Sequence, residues 1–533
     1  MDLFQTSARA GDAAPLPPKA AQALAAAVRN LAGWDRAYPD SAISYQGAWI
    51  VAGRRGLDRG IAVGFPTGKR PRWTSALKGA QKDAVGATVL VLEGTHETLQ
   101  ALREALPFLQ PRPTGKTPSF GFGDRTGMAT PGHLLALEGS GFFPNLAQQS
   151  IREMTRTQRT PAEVLDAAVF GALQSGHLTG FGADADHLKT LDDVDRCAEA
   201  GFVSFTLDAI EKVIDAAPRM NDADLEQAYR KILAEVPAAK GWEKKYSGKT
   251  FTFEKKVAVR MEGRAFREAI VKYGRAIPYW IEMEKRVRQK TKGRACEIEI
   301  AVDETGAVTT GAEHVFIARE LAERGMTYQG FAPRFVGEFE KGVDYKGERK
   351  VLEDSVIEHA VLARAHGGYK ISVHSGSDKF SIYSMIAKAT AGCFHLKTAG
   401  TSWMEGVRVI ARKDPTLFRE MCDYVRGQFS KDRASYHISG DPAKVPPPGT
   451  LPDGDLERVY VVDDDGRQIM HVTYGSAFTA KDESGKWLFR DRIFALLAKE
   501  EDLYTECLAK HLGRHVKGLK MKTAKKRAAA VKA

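Results

Sequence analysis

Residues 394–401 read Phe-His-Leu-Lys-Thr-Ala-Gly-Thr, an apolar run that ends in a histidine, a lysine and a glycine-bearing turn. Residues 371–379 and 178–189 follow the same plan, and each brings a histidine and a lysine to the end of a strand-like run. Helical patterns lie between these runs. An α/β barrel builds its active site from side chains at the carboxyl ends of its parallel strands. The three segments therefore predict a parallel sheet with a reaction site at one edge.

Strand-like and helical runs alternate over most of the chain. The candidate strands are 119–123, 178–182, 202–206, 296–302, 327–333, 369–374, 393–397 and 434–438. Strand-then-helix alternation implies parallel strands joined by crossover helices. We predict an α/β fold, a (β/α)8 TIM-like barrel, with an open doubly wound sheet as the alternative.

The sequence divides into four parts. They are a small α/β domain at 1–115, the catalytic barrel at 116–439 with a helical excursion at 238–295, a small β insertion with closing helices at 440–516, and a basic flexible tail at 517–533. The β insertion is predicted from two apolar runs, 459–462 and 469–472, that flank Asp463-Asp464-Asp465-Gly466 like a hairpin turn.

The composition, 43% hydrophobic and 27% charged, is typical of globular proteins. No apolar run approaches the ~20 residues that cross a bilayer, and no secretory signal is visible. Five scattered cysteines without a CxxC pair predict a cytoplasmic protein without a zinc-thiolate site. The net charge of +11 is concentrated in the tail, which we interpret as a solvated terminus rather than a nucleic-acid site. No membrane partner is expected, and the sequence leaves a homo-oligomer open.

Three histidines at predicted strand ends are candidate metal ligands: His187, His374 and His395. Three imidazoles around an open position form a catalytic metal site, and a carboxylate beside one of them, Asp186, could act as a base. The alternative for each histidine is a hydrogen-bonded structural role.

Glu299 lies in a strand whose charged and apolar residues alternate, 297–304. Its face points into the barrel, towards the helices, or, if this is an exposed edge strand, to solvent. A buried carboxylate is costly unless it meets a metal or a cation. Glu299 is therefore a candidate acid or metal ligand.

The candidate substrate-binding residues lie in turns after the strands. They are Asp124, Arg125, Lys189, Arg334, Ser375, Lys379 and Lys397. The arginines could fork onto a carboxylate or phosphate, with a structural salt bridge as the alternative. The lysines could neutralise an oxyanion or form a Schiff base, with solvated charge as the alternative.

Five motifs in this order resemble the bacterial tagaturonate/fructuronate epimerase family: 120–133, 182–190, 332–342, 374–380 and 395–403. The resemblance implies a metal-dependent barrel that interconverts D-tagaturonate and D-fructuronate, small-molecule ketouronates. Asp186 resembles the family's proton acceptor and Glu299 its proton donor. His187 and His374 resemble ligands of a divalent metal cation whose identity stays open. The third ligand is either His395 or a residue near Glu338.

The two ketouronates differ at a hydroxyl-bearing carbon whose C–H the ketone does not acidify. Retro-aldol cleavage and re-addition to the other face of the aldehyde therefore suits the reaction, with a metal or a lysine Schiff base to stabilise the carbanion. The alternatives are an epimerase or aldolase for a neutral or phosphorylated ketose, and a non-catalytic sugar-acid-binding protein.

Overall fold

The structure is a computed structural model that describes residues 3–520. An antiparallel sheet begins the chain. Its strands are β1 (Ala14–Pro15), β2 (Arg36–Ala37), β3 (Ile43–Tyr45), β4 (Ala48–Arg55), β5 (Asp58–Pro66), β6 (Ala80–Ala84) and β7 (Ala87–Glu93). They pair in the order β1-β3-β4-β5-β7-β6, with β2 on β4. Trp49 and Val51 of β4 pack on Leu24 and Val28 of the first long helix, so one face of the sheet is covered.

Eight parallel strands then close into a barrel. In chain order these and one hairpin are β8 (Ser119–Phe122), β9 (Phe143–Ser150), β10 (Gly182–Leu188), β11 (Ser204–Asp208), the hairpin β12 (Lys249–Phe253) and β13 (Val257–Met261), β14 (Glu297–Ala301), β15 (Gly330–Ala332), β16 (Lys370–Val373) and β17 (Phe394–Thr398). The barrel closes as β10-β11-β14-β15-β16-β17-β8-β9. The predicted barrel is confirmed, and the open doubly wound sheet is wrong.

Twenty-one α-helices surround these sheets within the described residues. They are α1 (Leu3–Ser7), α2 (Pro18–Ala32), α3 (His96–Ala105), α4 (Thr130–Leu137), α5 (Ile151–Thr157), α6 (Pro161–Gln174), α7 (Leu191–Ala200), α8 (Asp222–Glu235), α9 (Trp242–Tyr246), α10 (Gly263–Tyr273), α11 (Ala276–Thr291), α12 (Gly311–Glu323), α13 (Arg349–Ala365), α14 (Tyr383–Ala389), α15 (Thr401–Lys413), α16 (Pro415–Asp432), α17 (Asp453–Glu457), α18 (Asp464–Val472), α19 (Tyr474–Thr479), α20 (Arg490–Lys499) and α21 (Glu501–Leu519). Reciprocal capping boxes, Ser150 with Glu153 and Thr190 with Asp193, begin α5 and α7 just after the strands β9 and β10.

The predicted eighth strand at 434–438 is wrong. A 3-10 turn, Arg433–Ser435, and an irregular segment occupy this region. The missing strand is β9, whose sequence Phe-Pro-Asn-Leu-Ala-Gln-Gln-Ser has the amides and proline of a loop. Its polar residues are nevertheless buried, because Asn145 and Gln148 point into a polar barrel interior.

The predicted β insertion near the C-terminus is also wrong. Residues 458–462 form a π-helix, and α18 begins immediately after Asp463. The acidic run does not form a hairpin turn. It supplies carboxylates to the first turn of a helix, where they interact favourably with the helix macrodipole. The excursion at 238–295 contains the hairpin β12–β13 as well as helices. The predicted tail begins inside α21, where Leu519 is buried, and residues 521–533 lie outside the described residues. The other domain boundaries stay predictions.

The barrel interior is polar, and the apolar core lies between strands and helices. In β14, Ile298 and Ile300 join the core, whereas Glu297 and Glu299 face the interior at 7% and 9% exposure. The exposed-edge interpretation of this strand is therefore wrong. Such interiors are usually filled by branched apolar side chains. This one contains charged groups instead, and buried charges need partners. No helix within residues 3–520 is long and apolar enough to cross a membrane.

Candidate active site

A cavity of about 480 Å³ lies at the carboxyl ends of the barrel strands. Its wall comes from the ends of β9, β10, β14, β15, β16 and β17 and from residues 435–437. Asp186, His187, His374 and Lys397 line it together, as their strand-end positions predicted. The segment mistaken for a strand, 434–438, thus covers this mouth instead of joining the sheet.

A β-bulge presents Asp186 and His187 to the same cavity. Side chains of successive strand residues normally point to opposite faces. Here the pairing of β10 with β11 shifts register between Ala185 and Leu188, and His187 adopts φ +50. This left-handed backbone is unusual for a residue other than glycine, and such residues are frequent at active sites.

His187 is surrounded by carboxylates. Its Nδ1 lies 3.0 Å from Asp208 Oδ2, and its Nε2 lies 4.0 Å from both Asp186 Oδ1 and Asp303 Oδ2. Burial lowers the pKa of His187, but Asp186, Glu304 and Asp303 outweigh it and raise the pKa to about 10. A carboxylate on one ring nitrogen orients the other nitrogen, the arrangement that typically supports a metal-ligating histidine.

His374 stands beside His187, with ring centroids 5.0 Å apart. Its Nε2 lies 2.7 Å from Glu299 Oε1, and its Nδ1 lies 2.9 Å from Asp303 Oδ1 without hydrogen-bond geometry. Burial lowers the pKa of His374, but Asp303 and Glu299 raise it to about 9 overall. Both imidazoles therefore lie in a field that attracts cations.

Two groups of three at this cavity could hold a divalent cation: Asp186, His187 and His374, and His187, Asp208 and Glu304. Within each group the ligand atoms lie within 4.8 Å of one another, and the first group contains both candidate histidines. The His374 Nδ1 is buried without a hydrogen bond, and imidazole nitrogen and carboxylate oxygen suit several divalent metals. The residues present thus fit the predicted cation.

His395 does not join this group. Its Nδ1 lies 2.8 Å from Ser119 Oγ, deeper in the barrel, and its Nε2 is 3.9 Å from Asp184 Oδ2. Burial holds the pKa of His395 well below its usual range, so the imidazole is neutral. The alternative third ligand was a residue near Glu338; Glu338 itself lines the cavity but pairs with His437. Among the described residues, Asp186 is the third member instead.

Lys397 ties the carboxylates of the barrel interior together. Its Nζ lies 2.7 Å from Asp186, 2.8 Å from Glu299 and 2.9 Å from Asp184, and it donates to Thr206 Oγ1 at 2.6 Å. Burial opposes charge on each group and keeps the pKa of Asp184 above its usual range, but these contacts outweigh it for Lys397, Asp186 and Glu299. They hold the pKa of Lys397 well above its usual range and the pKa of Asp186 and Glu299 below theirs. Asp186 and Glu299 therefore stay ionised under the cavity floor.

Four of the predicted substrate-binding residues have protein partners. Asp124 accepts from the backbone N–H of Thr126, Gly127 and Ala129 at 2.7–3.0 Å. Lys379 is fully buried and donates to three backbone carbonyl oxygens.

The remaining two are held by acidic neighbours. Arg125 pairs with Glu153 at 2.8 Å and stacks on Tyr474. Lys189 donates to Glu304 at 3.1 Å and lies beside the cavity rather than in its wall. The structural alternative, a salt bridge or hydrogen bond within the protein, describes the contacts of all four residues. Arg125, Arg334, Ser375 and Lys397 line the cavity, and each also has a protein partner.

Sequence reasoning left several cavity residues unassigned, and four of them are charged residues close to the candidate site. Asp303 and Glu304 directly follow β14, so the strand-end argument could have found them. Arg152 follows β9, the strand that was missed, and pairs with Glu304 at 3.1 Å. Lys341 is the ninth residue after β15, too far for spacing to place it.

A closed parallel barrel with a charged cavity at its carboxyl end defines an enzyme of the (β/α)8 class. The sequence matches the tagaturonate epimerase family model over residues 62–519. The chain belongs to this family and is accordingly an isomerase, an epimerase.

Individual relatives agree. The tagaturonate/fructuronate epimerase of Thermotoga maritima is 41% identical over 450 residues, which cover 84% of this chain and 90% of that protein. The native crystal structure of the fructuronate-tagaturonate epimerase UxaE from Cohnella laeviribosi superposes with a TM-score of 0.85 at 35% identity, covering 93% of this chain and 99% of that one. A glycerol complex of the same protein gives a TM-score of 0.86 at 34% identity, covering 94% and 100%.

Proposed function

We propose that this chain interconverts D-tagaturonate and D-fructuronate with the help of a divalent cation. The observation that carries the proposal is the convergence of Asp186, His187 and His374 at the barrel mouth, in a chain of the tagaturonate epimerase family. His187 and His374 would hold the cation, with Asp186 at its edge. When bound, a divalent cation supplies a Lewis acid that offsets negative charge on substrate oxygens.

The protein's own groups handle the proton. Asp186 is ionised, so it can take the proton of the hydroxyl at the carbon that changes configuration. The carbon–carbon bond beside that hydroxyl then opens, and the new aldehyde turns and re-adds through its other face. Glu299 is ionised too and lies below His374. Re-addition leaves an alkoxide on the other face. Lys397 Nζ contacts both carboxylates, so it offers a route by which the proton taken by Asp186 reaches Glu299 and then this alkoxide.

The contacts of Lys397 argue against the Schiff-base route. A lysine attacks a carbonyl only as a free amine, and three carboxylates within 2.9 Å stabilise this one as an ammonium. Borohydride added with substrate would trap a Schiff base as a stable mass adduct. We expect no adduct on Lys397.

The direct test is NMR of the product mixture after the protein is incubated with D-tagaturonate and a divalent cation. We expect D-fructuronate to form, dialysis against a chelator to abolish it, and added cation to restore it. Full turnover by the metal-free protein would reject the proposed metal dependence. Faster turnover of the matched neutral or phosphorylated ketose would favour that alternative, and saturable binding without conversion would favour a sugar-acid-binding protein.

The cellular location rests on the cysteines. All five are free thiols, buried or half-buried, as expected of a protein of the reducing cytoplasm. We therefore propose a cytoplasmic enzyme.

A further inference from the structure

Lys341 differs from the other cationic side chains of the cavity wall. Arg125, Arg152, Arg334 and Lys397 each have a carboxylate within 4 Å. Within residues 3–520, no carboxylate oxygen lies that close to Lys341 Nζ, which donates instead to Ser375 Oγ at 2.7 Å. A half-buried ammonium without a counter-ion favours an anion in the adjoining space.

The segment that carries Lys341 is fixed in place. The preceding residue, Glu340, is buried and accepts hydrogen bonds from Ser439, Gln468 and Lys346 at 2.7–3.1 Å. Gln468 also donates to the backbone oxygen of Lys341 at 3.2 Å. The ammonium is therefore held on a rigid segment, which reduces the entropy that binding an anion would cost.

The hydrogen-bond acceptor of Lys341 is itself part of the candidate active site. Ser375 follows His374 directly and adopts φ +52, which turns its side chain to the cavity. An anion held by Lys341 and Ser375 would thus lie next to the imidazole proposed to bind the cation.

We infer that Lys341, with Ser375, binds the carboxylate of the substrate and sets the preference for a sugar acid over its neutral counterpart. This inference rests on the proposed function. Arg125 and Lys379, two residues predicted for this task, are occupied by protein partners. Arg334 forms only a long ion pair, 3.7 Å from Glu338. It lines the same cavity as Lys341 and adds a second positive charge there.

A single lysine suits a reaction in which a fragment must turn. After carbon–carbon cleavage, the aldehyde group rotates about the bond that joins it to the carbon carrying the carboxylate. The ammonium of lysine is a point charge and imposes no planar fork, unlike a guanidinium. It can retain the charged fragment in the cavity while the aldehyde changes face.

The test compares K341M and K341R with wild type, and K350M serves as the matched control because Lys350 is exposed on α13. For K341M we expect kcat/KM on D-tagaturonate to fall about 10- to 100-fold, mainly through KM, the size of one lost charge-assisted hydrogen bond. K341R should retain affinity within a few-fold. K350M should match wild type.

A second measurement needs no turnover. Calorimetry compares a six-carbon aldonate with the matching alditol, which lacks the charge. We expect K341M to lose aldonate affinity 10- to 100-fold and to leave the alditol unchanged. Equal losses for both ligands, or no loss for either, would overturn the inference. If wild type converts no ketouronate, the proposed function fails, and the aldonate comparison still decides the role of Lys341.

Discussion

Replacing Arg125 by methionine separates a structural arginine from a substrate-binding one. The Arg125 guanidinium is 1% exposed, lies 2.8 Å from Glu153, donates to the backbone oxygen of His471 at 3.1 Å and stacks 3.6 Å from the centre of the Tyr474 ring. Removing one partner of a buried ion pair costs about 3–5 kcal/mol, because the other charge is left buried. A desolvated cation–π contact adds about 2 kcal/mol. We expect R125M to lose about 5 kcal/mol of stability.

The assay is thermal and denaturant unfolding of R125M, R196M and the double variant R125M/E153Q. R196M is the control: the side chain of Arg196 is 48% exposed, and its less exposed partner Asp193 keeps hydrogen bonds from the backbone N–H of Lys189 and Thr190. It should change stability by under about 1 kcal/mol. The double variant should recover part of the loss, because the isolated charge of Glu153 is gone. The reasoning is refuted if R125M unfolds like wild type and shows only a raised KM.

Three further predictions concern the site and its support. Elemental analysis should find less bound metal in H187N and in H374N than in wild type, but an unchanged amount in H395N, because His395 contacts Ser119 instead of the candidate cation site. Loss of metal in H395N alone would contradict the ligand assignment. Hydrogen bonds from Ser439, Gln468 and Lys346 outweigh burial and lower the pKa of Glu340 to about 2, so this carboxylate stabilises the fold above pH ~4.5 and loses that contribution as the pH falls towards 2. We expect E340Q to lose up to about 3 kcal/mol of stability at pH 7 and to melt closer to wild type at pH 3.5. A difference in melting temperature that is larger at pH 3.5 than at pH 7 would reject the assignment. In G330A the new Cβ would meet Glu299 Oε2 at 2.7 Å, so kcat should fall at least about tenfold. The control G427A, with open space around the new Cβ, should behave as wild type. Equal kinetics for the two variants would show that the position of Glu299 does not matter.

The sequence determined the barrel and the core of its site. Parallel strands place their carboxyl ends at one edge, so Asp186, His187, His374 and Lys397 could be assigned to one place from strand ends alone. The same argument reached Glu299, whose alternating strand offers one polar and one apolar face. These inferences need only local pattern and the geometry that all parallel barrels share.

Tertiary structure decided which of these groups are free. Arg125, Lys379 and His395 were candidates by the same residue types and strand-end positions as Lys397 and His374, but Glu153, three backbone oxygens and Ser119 engage them. Ser119 and His395 are 276 residues apart in sequence. Such partners are chosen by the packing of distant segments, which no local pattern records.

The same reason explains two of the errors in secondary structure, the missed strand β9 and the predicted β insertion. β9 is polar because it faces a charged interior, and 464–472 is helical because its apolar residues pack against other helices. Strand and helix preferences are weak relative to the free energy of burial in a specific environment. Local sequence therefore determines where charged groups leave the strands, whereas only the closed barrel determines which of them meet.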